Sequence, residues 1–313
     1  MDNMSNTEID LTLAKPEHIT SLATSAHLVQ VQTKLWSATK TDKEVSAEVT
    51  VNKRAKEHSA KVVKNLFTGD RDYRALALYR QTISNWNKRL TWDWAGDFRC
   101  LPQFSLTTWL NEFRVHEQTY MDLKARFLAS YEDKIQMQAF EQGDMFKRSD
   151  YPSLAEVDSR ITIGHMIIEV PTSDFRSSVS NDLAEDLNRH YQREADKIVK
   201  RIMDQSWSRL HMYVERIAHA CSDTTSNKDG KESKPRVYQS TIDQTKELVD
   251  LLDSFNITKD PDLTEATRSI RDTLRGIDAE VIRESSATRA AIKNEISEVM
   301  SKFKARNVFE DDE

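Results

Sequence analysis

Between Ser180 and Cys221 the chain runs for about forty residues without a Gly or a Pro. Apolar side chains recur there at spacings of three, four and occasionally five: Leu183, Leu187, Tyr191, Ala195, Ile198, Ile202, Trp207, Leu210, Val214, Ile217 and Cys221. That spacing keeps them on one stripe of an α-helix. Ser180 is the expected N-cap, with Asp182, Glu185 and Asp186 near the positive end of the helix dipole. The outward face carries Arg189, Arg193, Lys197, Lys200 and Arg201 among acids. Such a helix measures about 60 Å, too long for one compact layer. It either crosses the whole protein or enters a coiled-coil-like pairing.

The remainder of the chain is organised around that helix. Only six Gly and six Pro punctuate 313 residues. This scarcity favours long helices over a barrel or sandwich, where turns demand more of both. Cys100 and Cys221 lie far apart and outside any CxxC spacing, so neither a disulfide framework nor a zinc site is expected, and a reducing compartment is the natural setting. The N-terminal stretch MDNMSNTEID has no apolar core of a signal peptide, and no apolar run reaches the length of a membrane span.

In chain order, residues 1–24 read as a polar leader broken by Pro16. His27 to Trp36 alternate strictly, with Val29, Val31, Thr33 and Leu35 on one face, which is the pattern of a strand. Thr41 and Glu44 form a capping-box pair that opens a basic helix ending near Thr68 and Gly69; Val45, Ala47, Val49 and Val51 also alternate, which leaves a short strand open. Asp70 caps the next helix, with a seam of Leu76, Tyr79, Ile83, Trp86 and Leu90. An aromatic loop follows from Trp92 to Phe104. Ser105 then opens a third helix along Leu106, Trp109, Leu110, Phe113, Tyr120, Leu123, Phe127, Tyr131 and Ile135, ending before Gly143. Ser153 and Glu156 make a second capping box. Arg160 to Val170 reads as a strand or hairpin that turns or bulges at Gly164 and pairs with Val29 to Leu35. Ser222 to Arg236 has the composition of a flexible loop. Helices are expected at Ser240–Phe255, Asp260–Leu274 (with Pro261 at the first helical position) and Asp278–Phe303, before an acidic tail. The expected architecture is therefore mainly α with some β: a leader (1–24), a helical core with a small antiparallel sheet and the long helix (25–221), a loop (222–237), C-terminal helices (238–306) and a tail (307–313).

Candidate chemistry is sparse. His211, Glu215 and His219 fall at i, i+4 and i+8 and would share a face that could present two imidazoles and a carboxylate to a metal, although pairs four apart are also ordinary helix surface. Glu112 with His116 invites the same weighing. Cys221 at a helix C-terminus has a thiol pKa raised by the dipole, which disfavours a nucleophile. Gly230-Lys231-Glu232-Ser233 lacks the upstream glycine and preceding strand of a P-loop, and neither GxSxG nor GxGxxG occurs. No cofactor is implied.

Charge is more informative. From Lys34 to Leu90 there are thirteen Lys plus Arg against six Asp plus Glu, a net of +7 in a chain of net −6, so the rest carries −13. Lys53, Arg54, Lys56, Lys61 and Lys64 lie within twelve residues. With Lys88, Arg89, Trp92, Trp94 and Arg99 they could track a phosphate backbone and stack exposed bases. Against this stands a solvated or internally paired basic face, with the tryptophans in the core. Trp92, Trp94 and Phe98 could equally form a protein-docking patch.

The segments LWSATKTDKEV, VKNLFTG, WLNEFR, DYPS, VPTSDFR and FNITKDPDLTEATRSI resemble a family of uncharacterised proteins encoded by tailed bacteriophages and related prophages, over about Leu28 to Leu274. More loosely, the chain resembles a broader helical family of unknown function that accompanies MoxR-like ATPases and von Willebrand A-type proteins. The phage resemblance implies expression in a bacterial cytoplasm and brings no catalytic residue with it. The leading expectation is a non-enzymatic interaction, assembly or adaptor protein whose long helices self-associate or dock a protein partner. A nucleic-acid-binding accessory protein working through the basic segment is second, and a metal-dependent hydrolase at His211, Glu215 and His219 a remote third.

Overall fold

The computed structural model describes residues 22–171, 181–222, 225–226, 232–233 and 235–303. In chain order its elements are β1 (Ala26–Lys34), β2 (Thr39–Asp42), α1 (Lys43–Asn52), β3 (Val62–Asn65), α2 (Arg71–Leu90), β4 (Trp92–Asp93), β5 (Arg99–Pro102), α3 (Leu106–Ala129), α4 (Tyr131–Gln142), α5 (Leu154–Arg160), β6 (Thr162–Glu169), α6 (Asn181–Ala220), β7 (Thr225–Ser226), β8 (Glu232–Ser233), α7 (Gln239–Ser254), α8 (Pro261–Thr273), α9 (Ala279–Glu284) and α10 (Ser286–Phe303). The protein is mainly helical with a small antiparallel sheet. Two compact units divide the described residues: an N-terminal unit of Leu28–Thr91 and Asp97–Ile168, and a second unit that holds residues 22–27, Trp92–Gly96 and the described residues from Glu169 onward. The division groups the long helix α6 with the helices after it.

In the N-terminal unit β1 lies between β5 and β6, the pairing that the alternation of Val29 to Leu35 and the second strand after Arg160 predict. The core is aromatic. The Phe67 ring sits 5.9 Å from Trp36, 6.5 Å from Tyr73, 5.3 Å from Phe127 and 5.6 Å from both Tyr131 and Tyr151. Trp86 and Trp109 stack at 5.4 Å, and the Trp109 indole donates to Asn87 Oδ1 at 3.0 Å. Four tyrosine hydroxyls tie rings to backbone: Tyr73 donates to the Trp36 carbonyl, Tyr120 to Lys34, Tyr131 to Pro152 and Tyr151 to Leu66, at 2.8–3.0 Å. A buried aromatic hydroxyl needs such a partner, because leaving it unpaired costs about 1–3 kcal/mol. Burial pushes the Tyr120 and Tyr131 hydroxyls up to about 12.

Several expected elements take a different form. The helix expected from Thr41 to Thr68 stops at Asn52, and its cap is Asp42, whose Oδ1 accepts from the backbone N–H groups of Glu44 and Val45 at 3.1 Å. The chain then returns as β3, antiparallel to β2 with Thr39 opposite Asn65 and Asp42 opposite Val62. Tertiary contacts decide this return. Val62 N–H donates to Ser46 Oγ at 2.9 Å, and Lys64 Nζ, its side chain 4% exposed, reaches Asp150 at 2.6 Å, Asp42 at 3.5 Å and the Met145 carbonyl at 2.6 Å. Ser105 makes no side-chain cap bond at the start of α3, and the third helix breaks at Ser130, which turns Tyr131 toward Pro152. Within the segment expected as a strand or hairpin, Arg160 closes α5 and Thr162–Glu169 forms one strand with no turn at Gly164. The Trp92–Phe104 loop contains β4 and β5. The capping box at Ser153 and Glu156 forms in both directions, and Asp70 caps α2 through Tyr73 N–H at 2.7 Å.

In the second unit α6 is continuous over forty residues, as its seam predicts. From Ala195 to Cys221 the stripe is buried except at Ile198, which is half-buried while Val199 beside it takes the inner position, and it is covered by α7, α10 and β4. These are short elements, so the seam is met by several pieces in turn and not by a coiled-coil partner of its own length. Asp260 caps α8 with Pro261 in the first turn. The helix expected over Asp278–Phe303 divides at Ser285, whose backbone is extended and whose hydroxyl accepts from Thr288 N–H at 3.1 Å, so a serine inside an apolar stripe starts a new helix. Within the segment 222–236, β7 and β8 pair antiparallel, where a loop is expected. Residues 1–21 of the expected leader, the Ser180 cap and the acidic tail lie outside the described residues; the last residues of that leader are not loose, since 22–25 are helical and Leu22 is buried.

Lys64→Met is expected to destabilise the N-terminal unit by about 3 kcal/mol, since it leaves Asp42 and Asp150 buried without their cation, and Lys64→Met with Asp150→Leu should recover most of that loss in urea unfolding followed by circular dichroism. A double variant as weak as the single would contradict the ion pair's role. Acid should act through the same carboxylates. Asp42 is held below the usual aspartate value of 3.8, chiefly by the Val45 N–H, and Asp72 likewise, chiefly by the Lys134 ammonium. Their stabilisation is complete above that value and is lost as pH falls through the lowered folded-state pKa, so the urea midpoint should drop below about pH 3.8 and Asp72→Asn should flatten that drop.

Candidate functional site

The basic residues of the N-terminal unit separate into three groups. Lys53, Arg54, Lys56 and Lys61 stand on an exposed loop between α1 and β3, not on a helix, and none of them ion-pairs among the described residues. Arg54 (φ 50°) and His58 (φ 66°) take left-handed backbone conformations, which turn the loop without glycine. Lys64 belongs to the buried Asp42/Asp150 cluster and cannot reach a ligand. Lys88 and Arg89 are exposed in the last turn of α2, where their charges complement the helix dipole. Twenty residues of α2 put them about 30 Å along its axis from the cap at Asp70. Of this basic set, Lys64 is withdrawn from the surface by its two carboxylates.

The tryptophan loop is not a base-stacking platform either. Trp92 is fully buried in the second unit: its indole donates to Ser206 Oγ at 3.0 Å, Phe255 lies 4.8 Å away and the Arg209 guanidinium covers the ring at 4.9 Å. Trp94 is half-buried and its carbonyl accepts from Arg201 at 3.1 Å. Arg99, in the N-terminal unit, donates to the Thr91 hydroxyl at 2.6 Å and to the Thr91 carbonyl at 3.0 Å, which commits its guanidinium to the backbone.

His211, Glu215 and His219 do not converge. His211 faces inward, 6.3 Å from Trp207, and its Nε2 is buried without a hydrogen-bond partner beside an apolar cavity lined by Leu210, Val214, Ile270 and Val299. Burial holds its pKa below the usual value, while Glu215 pulls the other way. Glu215 and His219 are exposed. Eight residues carry a helix face round by about 80°, enough to move from inside to outside. Among the described residues no three His, Cys, Asp or Glu side chains group as metal ligands. Burial raises both thiols, Cys100 to about 12, and with Cys221 it adds to the direction expected from the helix end.

Glu112 and His116 do come together with other groups. Glu112 accepts from the Trp86 indole, and His116 lies 4.7 Å from the Trp86 ring with Nδ1 at 2.9 Å from the Tyr79 hydroxyl. The arrangement links α2 to α3 through half-buried polar groups. Desolvation lowers the His116 pKa most, Glu112 opposes it and Arg89 adds to it.

One surface escaped the sequence reading. Phe140 on α4 is 91% exposed and Met137 is 60% exposed. The buried residues of α4 are Tyr131, Lys134, Ile135 and Gln138, and Phe140 lies two and a half turns from Tyr131, so it points directly away from the core. Asp133, Met137 and Phe140 share that outward face at i, i+4 and i+7. The signal was present: Phe140 is the one large aromatic of the segment that falls off the Tyr131/Ile135 stripe.

The chain matches no family model, no curated protein and no solved structure. No helix among the described residues is long and apolar enough to cross a membrane.

Because the His116 pKa lies below the ordinary 6.5, the unfolded chain takes up its proton first as pH falls. Stability should therefore be level above about pH 6.5 and decline below it until the folded-state pKa is passed. A two-dimensional NMR titration of the His116 ring should report that lowered value, and His116→Phe should remove the decline. A titration at or above 6.5 would contradict the packing against Trp86.

Proposed function

We propose that this protein is a non-enzymatic interaction component, an adaptor or assembly protein, whose N-terminal unit is a rigid platform that docks a protein partner on the outer face of α4. The observation that carries the reading is Phe140. A fully exposed phenylalanine opposite a helix's buried stripe gains nothing in the monomer, whereas desolvating it against a partner is worth about 2 kcal/mol, and aromatics of this kind dominate interface energetics. The packing of Phe67 and the two buried lysine clusters supports a platform that does not rearrange on binding. The resemblance to tailed-phage and prophage proteins suggests that the partner is a phage or host-bacterial protein met in the cytoplasm.

A second reading, a nucleic-acid-binding accessory protein, is favoured by one observation: Lys53, Arg54, Lys56 and Lys61 are exposed without ion-pair partners among the described residues. Its contact set contracts to this loop, since Lys64, Trp92 and Arg99 are committed elsewhere. It predicts affinity for labelled DNA or RNA that falls steeply with salt.

Phe140→Ser is expected to leave the thermal unfolding midpoint unchanged, as surface substitutions generally do. A photo-crosslinking residue at position 140 should give discrete adducts in the producing cell that are absent when the same residue replaces exposed Thr82. Equal crosslinking at both positions would count against α4 as the docking face.

A further inference from the structure

The N-terminal unit carries a second exposed apolar side chain in a charged setting of opposite sign. Val51, at the end of α1, is 73% exposed; Lys53, Arg54, Lys56 and Lys61 follow it, and the acids beside it are Glu57 in the loop and exposed Glu48 one turn earlier, which leaves the patch net positive by two. The α4 face is the converse. Phe140 and Met137 are accompanied by Asp133, Glu141 and Asp144, all exposed, and none of the three ion-pairs among the described residues. Local structure accounts for part of this acidity, because Asp133 lies in the first turn of α4 and Glu141 accepts from Gln138 Nε2 at 2.7 Å. It does not account for Phe140 at the centre. Each surface is thus an apolar side chain accompanied by unneutralised charge, and the two surfaces are complementary in sign.

We propose that the occupant of the α4 face is a second copy of this chain: Phe140 and Met137 of one copy seat against the Val51 end of α1 in the next, with Asp133, Glu141 and Asp144 facing Lys53, Arg54, Lys56 and Lys61. This rests on the reading of Phe140 as a docking residue and names its partner. The contact joins two different surfaces, so it is heterologous, and repeating it builds either a closed ring or an open filament. Its charged part is solvent-exposed and weakens with salt, while its apolar part does not. A nucleic acid on the same loop would use the cations but would leave Val51 and the acidic aromatic face without a role.

Analytical ultracentrifugation of the purified full chain over a concentration and salt series tests it. The expected result is reversible association beyond the monomer that weakens at least tenfold in Phe140→Ser and in the triple reversal Lys53→Glu, Arg54→Glu, Lys56→Glu. Association should return when that triple reversal is mixed with the reversal Asp133→Lys, Glu141→Lys. Restoration by the mixture cannot arise from misfolding, and circular dichroism of each variant provides a check on structure. A strict monomer, association indifferent to Phe140→Ser, or reversals that do not rescue one another would each overturn the proposal. So would a loop reversal that abolishes binding to labelled single-stranded DNA and leaves association unchanged, which would assign the loop to nucleic acid. If the chain is monomeric while position 140 still crosslinks specifically in cells, the docking reading stands and only the identity of the occupant fails.

Discussion

Two buried ammonium groups hold the N-terminal unit in register. Lys64 lies between Asp42 and Asp150, and Lys134 lies 2.6 Å from Asp72 and 3.3 Å from Asp70. Asp42 and Asp70 are also the caps of α1 and α2, so one carboxylate starts a helix and fixes the strand or helix packed beside it. A charge taken out of water is tolerated only when it is paired and hydrogen-bonded, so the loss of one partner exposes the desolvation cost of the rest. Such pairs contribute little net stability beside an apolar core. Their effect is on specificity, since β3 cannot slip against β2 without stranding Lys64 on the wrong face.

The aromatic core adds bulk to that register. Phe67 follows β3 directly and touches rings from the β1–β2 connection, α2, α3, α4 and the segment before α5. Placement of Lys64 therefore places Phe67, and placement of Phe67 orients the helices around it. A platform fixed this way can carry exposed apolar groups without rearranging to hide them, which is what makes Phe140 and Val51 informative.

The site was legible only in part. The loop cations were visible as composition, and their exposure follows from their hydration. That Lys64 differs from Lys61 was not visible, because a lysine three residues away in the same basic run has the same chemistry until Asp42 and Asp150 are brought to it from 22 and 86 residues off in sequence. Trp92 was misleading for a similar reason: a tryptophan beside Lys, Arg and Gly reads as a loop aromatic, and only Ser206, Phe255 and Arg209 make it core. The histidines of α6 share a helical register, yet a drift of about 80° over eight residues separates them.

Local pattern alone determined the forty-residue helix α6, the cap at Asp260 with Pro261, the capping box at Ser153 and the strand from β1, because period and cap chemistry act between residues a few positions apart. The end of α1 at Asn52, the break at Ser130 and the fate of each basic and aromatic side chain were decided by tertiary structure. In the first two cases the local pattern left more than one outcome open, and a buried ion pair or a tyrosine hydroxyl bonded to a carbonyl selected one of them from a distance the sequence pattern does not span; at Ser285 the selecting bond is itself local, to Thr288 N–H.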